Sequence, residues 1–89
     1  MNWSENWVLE VDPAVHKKLA RIPRNYAKRI TVVIGLLPVN PYFGDIEKLK
    51  GEDNAWRRRV GPYRVFYRVI ISTKEILVFK VERRTSSTY

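Results

Sequence analysis

The sequence predicts one α+β domain in which a two-helix hairpin packs on an antiparallel sheet, and three observations predict it. A short β-branched run near the N-terminus stops at Asp12-Pro13, a helix cap with proline in the first helical turn. Apolar residues then recur at helical spacing on both sides of Pro23, and beyond Asn40-Pro41 the pattern becomes strand-like. Neither a helix pair nor a single sheet can bury its apolar side alone, so the two layers must cover each other.

In chain order, Trp7-Val8-Leu9-Glu10-Val11 reads as the first strand. Val15, Leu19 and Ile22 give the apolar stripe of a first helix; after Pro23, Tyr26, Ile30, Val33, Ile34 and Leu37 give that of a second. A meander follows, with strands at Asp45 to Lys50, Ala55 to Val60, Tyr63 to Ser72 and Glu75 to Glu82, making a sheet of about four strands. Gly61-Pro62 and Thr73-Lys74 are read as two-residue turns, although Thr-Lys is a poor turn pair.

Eighty-nine residues suit one core and no second module. With 45% hydrophobic and 12% aromatic residues and no cysteine, that core does not rest on disulfides. The single histidine, His16, reads as a surface residue of the first helix, and without cysteine no metal or other cofactor is expected. The N-terminus lacks a signal-peptide pattern and no run approaches a membrane span, so a cytoplasmic protein is expected. Seventeen Lys and Arg against nine Asp and Glu give a net charge of +8 and favour a polyanionic partner, nucleic acid foremost.

The placement of the charges sharpens this reading. A turn at Gly61-Pro62 pairs Val60 with Tyr63, Arg59 with Arg64 and Arg57 with Phe66, so Arg57, Arg59 and Arg64 share one face of the sheet. Arg58 points the other way with Val60, Val65 and Tyr67. Counting outward from Thr73-Lys74 sets Arg64 opposite Arg83 and sends Glu82 to the far face, so that four arginines converge. Opposed like charges destabilise a sheet unless an anion compensates them, and arginine forks suit phosphate oxygens. The competing reading pairs each arginine with a nearby carboxylate. Trp56, Tyr63 and Tyr67 fall on the opposite face as core, and Phe66 is read as packing beneath the cluster. Lys17, Lys18, Arg21 and Lys28 on the helices, with Lys48, Lys50 and Arg84, are the remaining candidates for RNA contact, against ordinary solvation of an amphipathic surface.

The segments Lys48-Leu49-Lys50-Gly51, Trp56-Arg57-Arg58-Arg59-Val60-Gly61-Pro62-Tyr63-Arg64-Val65-Phe66-Tyr67 and Arg83-Arg84, with a terminal Tyr89, resemble the RelE/ParE toxins. The likeness follows the element order through nearly the whole chain and is most specific from Gly61 to Tyr67. It implies a type II toxin held inactive by a small antitoxin that wraps it. In the RelE-like branch it implies metal-independent cleavage of mRNA in the ribosomal A site, by attack of a 2′-hydroxyl on the adjacent phosphate. The positions matched to the family's catalytic set are Arg57, Arg59, Arg64, Arg83 and Tyr89. Two departures stand out: the first two positions are often lysine in bacterial members, and many relatives carry a histidine near Arg83. Arginine keeps its proton near neutral pH, so Arg57 and Arg59 suit charge stabilisation and Tyr89 is left as the base. A ParE-like inhibitor of DNA gyrase, without nuclease activity, is the alternative on the same fold, and a catalytically inactive RNA-binding relic is the third.

Overall fold

The computed structural model describes residues 7–84. Its elements are β1 (Val8–Val11), α1 (Pro13–Leu19), α2 (Arg24–Leu36), β2 (Ile46–Lys48), β3 (Ala55–Val60), β4 (Tyr63–Ile70) and β5 (Glu75–Arg83). The expected α+β arrangement forms, with one addition: the sheet has five strands in the order β1-β5-β4-β3-β2. The extra member is β1, which lies parallel to β5 with Val8 opposite Glu75, whereas every other pairing is antiparallel. A strand separated from its neighbour by the whole chain gives no local pairing signal, which is why the count of four missed it.

Asp12 opens α1 as anticipated, its carboxylate accepting the Ala14 N–H at 2.8 Å, which satisfies one of the free donors of the first turn. Pro23 ends the hairpin's first arm and leads into α2, whose Ile30, Val33 and Ile34 face inward. These residues, with Val15 and Leu37, close over Val60, Tyr63, Val65, Tyr67, Val69, Ile76, Val78 and Val81 on one face of the sheet. The helices cover that face only.

The connection from α2 to β2 is pinned to the core at two points. Tyr67, fully buried, donates its hydroxyl to the Pro41 carbonyl at 2.6 Å. Burial pushes this phenol up to about 12, with the nearby Arg58 charge opposing the rise. The Arg58 guanidinium lies 4.3 Å from the centre of the Phe43 ring and donates to the Phe43 carbonyl at 3.2 Å. Gly44, at a φ of +83°, lies so close to that guanidinium that a side chain there would collide with it.

Two registers decide which residues meet on the open face. The β3–β4 hairpin pairs Val60 with Tyr63, Arg59 with Arg64 and Arg57 with Phe66, as the Gly61-Pro62 turn requires. The β4–β5 hairpin differs from the expected pairing. Residues 71–74 form its loop, so Ile70 rather than Ser72 stands opposite Glu75, and a bulge interrupts the ladder between Phe66 and Tyr67. Lys74 takes the left-handed conformation there, at a φ of 56°. The longer loop shifts the register by an even number of residues and leaves the faces unchanged; the bulge adds one residue and exchanges them. Arg83 therefore pairs with Tyr63, and Arg64 with Glu82.

Candidate nucleic-acid interface

On the face away from the helices, Arg57 and Arg59 stand on β3 beside Arg64 and Phe66 on β4. Phe66 is buried there, with the Arg64 guanidinium 5.8 Å and the Lys80 ammonium 5.2 Å from its ring centre. Its packing role agrees with the sequence reading. An aromatic ring beneath two cations supports them by its negative face while burying their aliphatic stems.

Arg83 does not join this group. Pairing with Tyr63 sets it on the helix side, its guanidinium 5.8 Å from the Tyr63 ring centre. The converging set is three arginines, and the expected fourth was displaced by the bulge. Alternation past the end of β5 brings position 84 rather than 83 back to the side of Glu82. Arg84 is exposed, and its backbone N–H donates to the Pro62 carbonyl at 2.6 Å.

The three arginines are also not bare, and each meets a carboxylate. Arg57 donates to Glu47, Arg59 lies 3.8 Å from Asp45, and Arg64 donates to Glu82 at 2.9 Å. Glu82, expected on the far face, shares this one and also meets Lys80 at 3.2 Å. The hydrogen bond from Arg57, then its charge, holds the Glu47 carboxyl below the usual carboxylate range, with Arg59 and Lys50 adding to the effect and desolvation opposing it. Asp45, Glu47 and Glu82 are the site residues that sequence reasoning passed over. Asp45 and Glu47 were within reach, since positions two apart on a strand share a face; Glu82 was hidden by the bulge.

Asp45, Glu47, Arg57, Arg59 and Arg64 enclose a crevice of only about 20 Å³, room for roughly one water. A nucleotide would lie on this surface, not within it. The pairs to Glu47 and Asp45, whose carboxylates are largely exposed, are held weakly, and a phosphate presented to two or three arginine forks at once is a strong competitor for them.

The other candidate RNA contacts are dispersed. Lys17, Lys18, Arg21 and Lys28 are exposed on the helical layer, across the sheet from the arginines. Lys48 pairs with Trp56 and so belongs to the helix side of the edge strand, and Lys50 is exposed in the following turn. His16 is exposed on α1, as expected. Among the described residues, no group of three or more His, Cys, Asp or Glu side chains comes together as a metal site would need, and no helix is long and apolar enough to cross a membrane. Tyr89 lies outside the described residues.

A family model described as the ParE toxin of the parDE type II toxin–antitoxin system matches residues 9–87. The chain belongs to the RelE/ParE toxin superfamily. Within it the chain is RelE-like: it is 34% identical over 79 residues to a candidate toxin RelE1 of Methanocaldococcus jannaschii, covering 85% of this chain and 88% of that one. Among solved structures, this toxin is similar to the archaeal RelE–RelB complex of Pyrococcus horikoshii, with a TM-score of 0.79, 26% identity and coverage of 92% and 99% of the two chains. The RelB–RelE complex of Methanococcus jannaschii matches with a TM-score of 0.70 and 29% identity over 84% of this chain and 89% of that one. The isolated RelE toxin of E. coli, at 19% identity and a TM-score of 0.75 over 91% and 87%, shares the fold.

Proposed function

We propose that this type II toxin is a ribosome-dependent mRNA endonuclease. The observation that carries the reading is the placement of Arg57, Arg59 and Arg64 on the solvent-open face of the sheet, while Arg58 between them turns into the helix layer. Three guanidinium groups a strand apart suit one phosphodiester and the additional negative charge that develops on it during in-line attack.

In the proposed reaction the 2′-oxygen forms a bond to the adjacent phosphorus and the bond from phosphorus to the 5′-oxygen breaks, leaving a 2′,3′-cyclic phosphate and a 5′-hydroxyl. The 2′-hydroxyl proton passes to a base, for which Tyr89 is the candidate, and the leaving 5′-oxygen takes up a proton. Arginines cannot accept that first proton near neutral pH. Their part is to hold the phosphate, displacing Asp45, Glu47 and Glu82 as they do so, and to stabilise its charge. The ribosome's part is to supply the orientation that an open sheet face cannot give a flexible strand. Lys17, Lys18, Arg21 and Lys28, with Lys48, Lys50 and Arg84, are proposed to contact RNA, the helix residues meeting ribosomal RNA while the sheet face meets mRNA. The inhibitory partner is a cognate antitoxin, a reading supported by the antitoxin complexes of the archaeal relatives.

The test is primer extension on a translated mRNA incubated with purified toxin, with and without ribosomes. Cuts that require ribosomes are expected. A second reading is favoured by the ParE description of the matching family model: inhibition of DNA gyrase with no RNA cleavage. A supercoiling assay run beside the first decides it, since inhibited gyrase with intact mRNA would replace the endonuclease reading.

A further inference from the structure

The open face of β4 carries a second arginine that the phosphate chemistry does not use. Arg68 follows Arg64 by four residues on the same strand and the same side of the sheet, with Phe66 between them. The two stand ~13 Å apart along the strand, within reach of the nucleotides next to a phosphate held at Arg64. The Arg68 guanidinium lies 5.1 Å from the centre of the half-buried Phe79 ring, and that ring packs against Phe66 with centres 6.2 Å apart. An aromatic floor thus continues from the phosphate crevice to Arg68.

The turn between β2 and β3 holds this arginine in place. Gly51 turns the chain at a φ of +78°, the Leu49 N–H donates to the Ala55 carbonyl at 2.9 Å, and the Val69 N–H donates to the Asn54 carbonyl at 2.9 Å. Glu52 and Asn54 are thereby set beside β4, where Arg68 donates to the Glu52 carboxylate at 2.7 Å and to the Asn54 side-chain oxygen at 3.2 Å. Both bonds leave from Nη1. The other edge of the guanidinium, formed by Nε and Nη2, has no partner among the described residues, and neither nitrogen is a buried donor, in contrast to Nε of Arg64.

Two parallel donors in one plane call for two adjacent acceptors. A phosphate has them, but Glu52 already offsets the single positive charge of Arg68 and repels a second anion, whereas three guanidinium groups converge at the crevice. A neutral base edge meets no such opposition. Guanine presents N7 and O6 as adjacent acceptors, while adenine sets an amino donor beside N7 and opposes the fork. In single-stranded RNA that edge is open to a protein side chain.

We propose that Arg68, steadied by Glu52, Asn54 and Phe79, is a specificity-determining residue that reads a guanine flanking the scissile phosphate, a proposal that rests on the endonuclease reading above. Arg57, Arg59 and Arg64 then hold the backbone, which carries no sequence information, and Arg68 sets where along the mRNA the cut falls.

The test is single-turnover cleavage on ribosomes programmed with synthetic mRNAs in which guanine, 7-deazaguanine, adenine or cytosine stands at each position flanking the cut. The wild-type chain is expected to cleave about tenfold faster with guanine than with 7-deazaguanine at one of these positions. Arg68→Ala and Arg68→Lys, each assayed below its unfolding transition, should lose that preference, the guanine mRNA slowing to the rate of its 7-deazaguanine counterpart. Lysine keeps the charge and a pairing with Glu52 but has no planar fork, so it separates base reading from a mere clamp on the turn. A clamp survives Arg68→Lys, and its loss in Arg68→Ala slows every mRNA alike. Equal wild-type rates on guanine and 7-deazaguanine at every position, a preference retained by Arg68→Lys, or a preference for adenine or cytosine over guanine would overturn the proposal. A second arm needs no cleavage: a short guanine-containing RNA with 2′-O-methyl riboses, titrated against the full chain, should shift the Arg68 Nε–H resonance, and its 7-deazaguanine counterpart should not. A wild-type chain that cuts no mRNA on ribosomes refutes the endonuclease reading, whereas cleavage with neither the shift nor the guanine preference refutes the Arg68 subsite alone.

Discussion

Arg58 and Arg59 are chemically identical neighbours, and the structure predicts opposite consequences for replacing each with alanine. Arg58 stacks on Phe43 at 4.3 Å and donates to its carbonyl at 3.2 Å. A partly buried cation–π contact contributes on the order of 1 kcal/mol, and a hydrogen bond from a charged donor roughly another 1 kcal/mol or more. Arg58→Ala should therefore cost about 2 kcal/mol, a drop in Tm of roughly 8–16 °C for a domain this size. Arg59 is half-exposed and its ion pair to Asp45 is long at 3.8 Å, so Arg59→Ala should cost about 0.5 kcal/mol or less. For the proposed cleavage the order reverses. Losing one charge-assisted phosphate contact at Arg59 should slow cleavage about tenfold or more, while Arg58→Ala should remain within about threefold of wild type. The assays are thermal unfolding and single-turnover cleavage on programmed ribosomes, at a temperature where both variants are folded. If Arg58→Ala slows cleavage as much as Arg59→Ala does, strand parity does not define the site and the arginines act as a diffuse RNA-binding patch.

Two further expectations concern the pairings around this site, and a third concerns the core beneath the sheet. Arg64→Ala should slow cleavage about tenfold and Arg83→Ala much less, measured under the same single-turnover conditions, because the bulge sets Arg83 against Tyr63 on the helix side; equal losses would place Arg83 at the phosphate after all. Glu47→Gln should tighten binding to programmed ribosomes by a few-fold, since it frees Arg57 for phosphate, and a steep fall in cleavage rate at unchanged binding would instead make Glu47 the proton acceptor in place of Tyr89. Tyr67, held at about 12 against an ordinary 10.0 by burial, binds its proton more tightly folded than unfolded. The stability it contributes is complete below pH 10 and is lost as pH rises from 10 towards 12, up to about 2–3 kcal/mol. Urea unfolding at pH 9, 10 and 11 should show a decline that Tyr67→Phe removes, and parallel declines in the two proteins would refute the assignment.

How far the sequence carries the site depends on whether each residue's face is set locally or across the sheet. The Gly61-Pro62 hairpin is local, and its two turn residues fix the pairing of Arg57, Arg59 and Arg64 without reference to the rest of the chain. The partnership of β1 with β5 depends on closure of nearly the whole chain, and no neighbouring residue encodes it. The position of Arg83 belongs between these cases. Strict alternation from Ile76 and Val78 assigns Lys80 and Glu82 to the core and expels Val81, an arrangement that takes two charges out of water and leaves a valine in it. One extra residue after Val78 reverses this: Val81 becomes buried, and Lys80 and Glu82 reach the open face as an ion pair beside Arg64. The bulge was thus legible as a conflict between period and polarity. Resolving it in favour of polarity removes Arg83 from the cluster and gives Arg64 the Glu82 carboxylate as its partner.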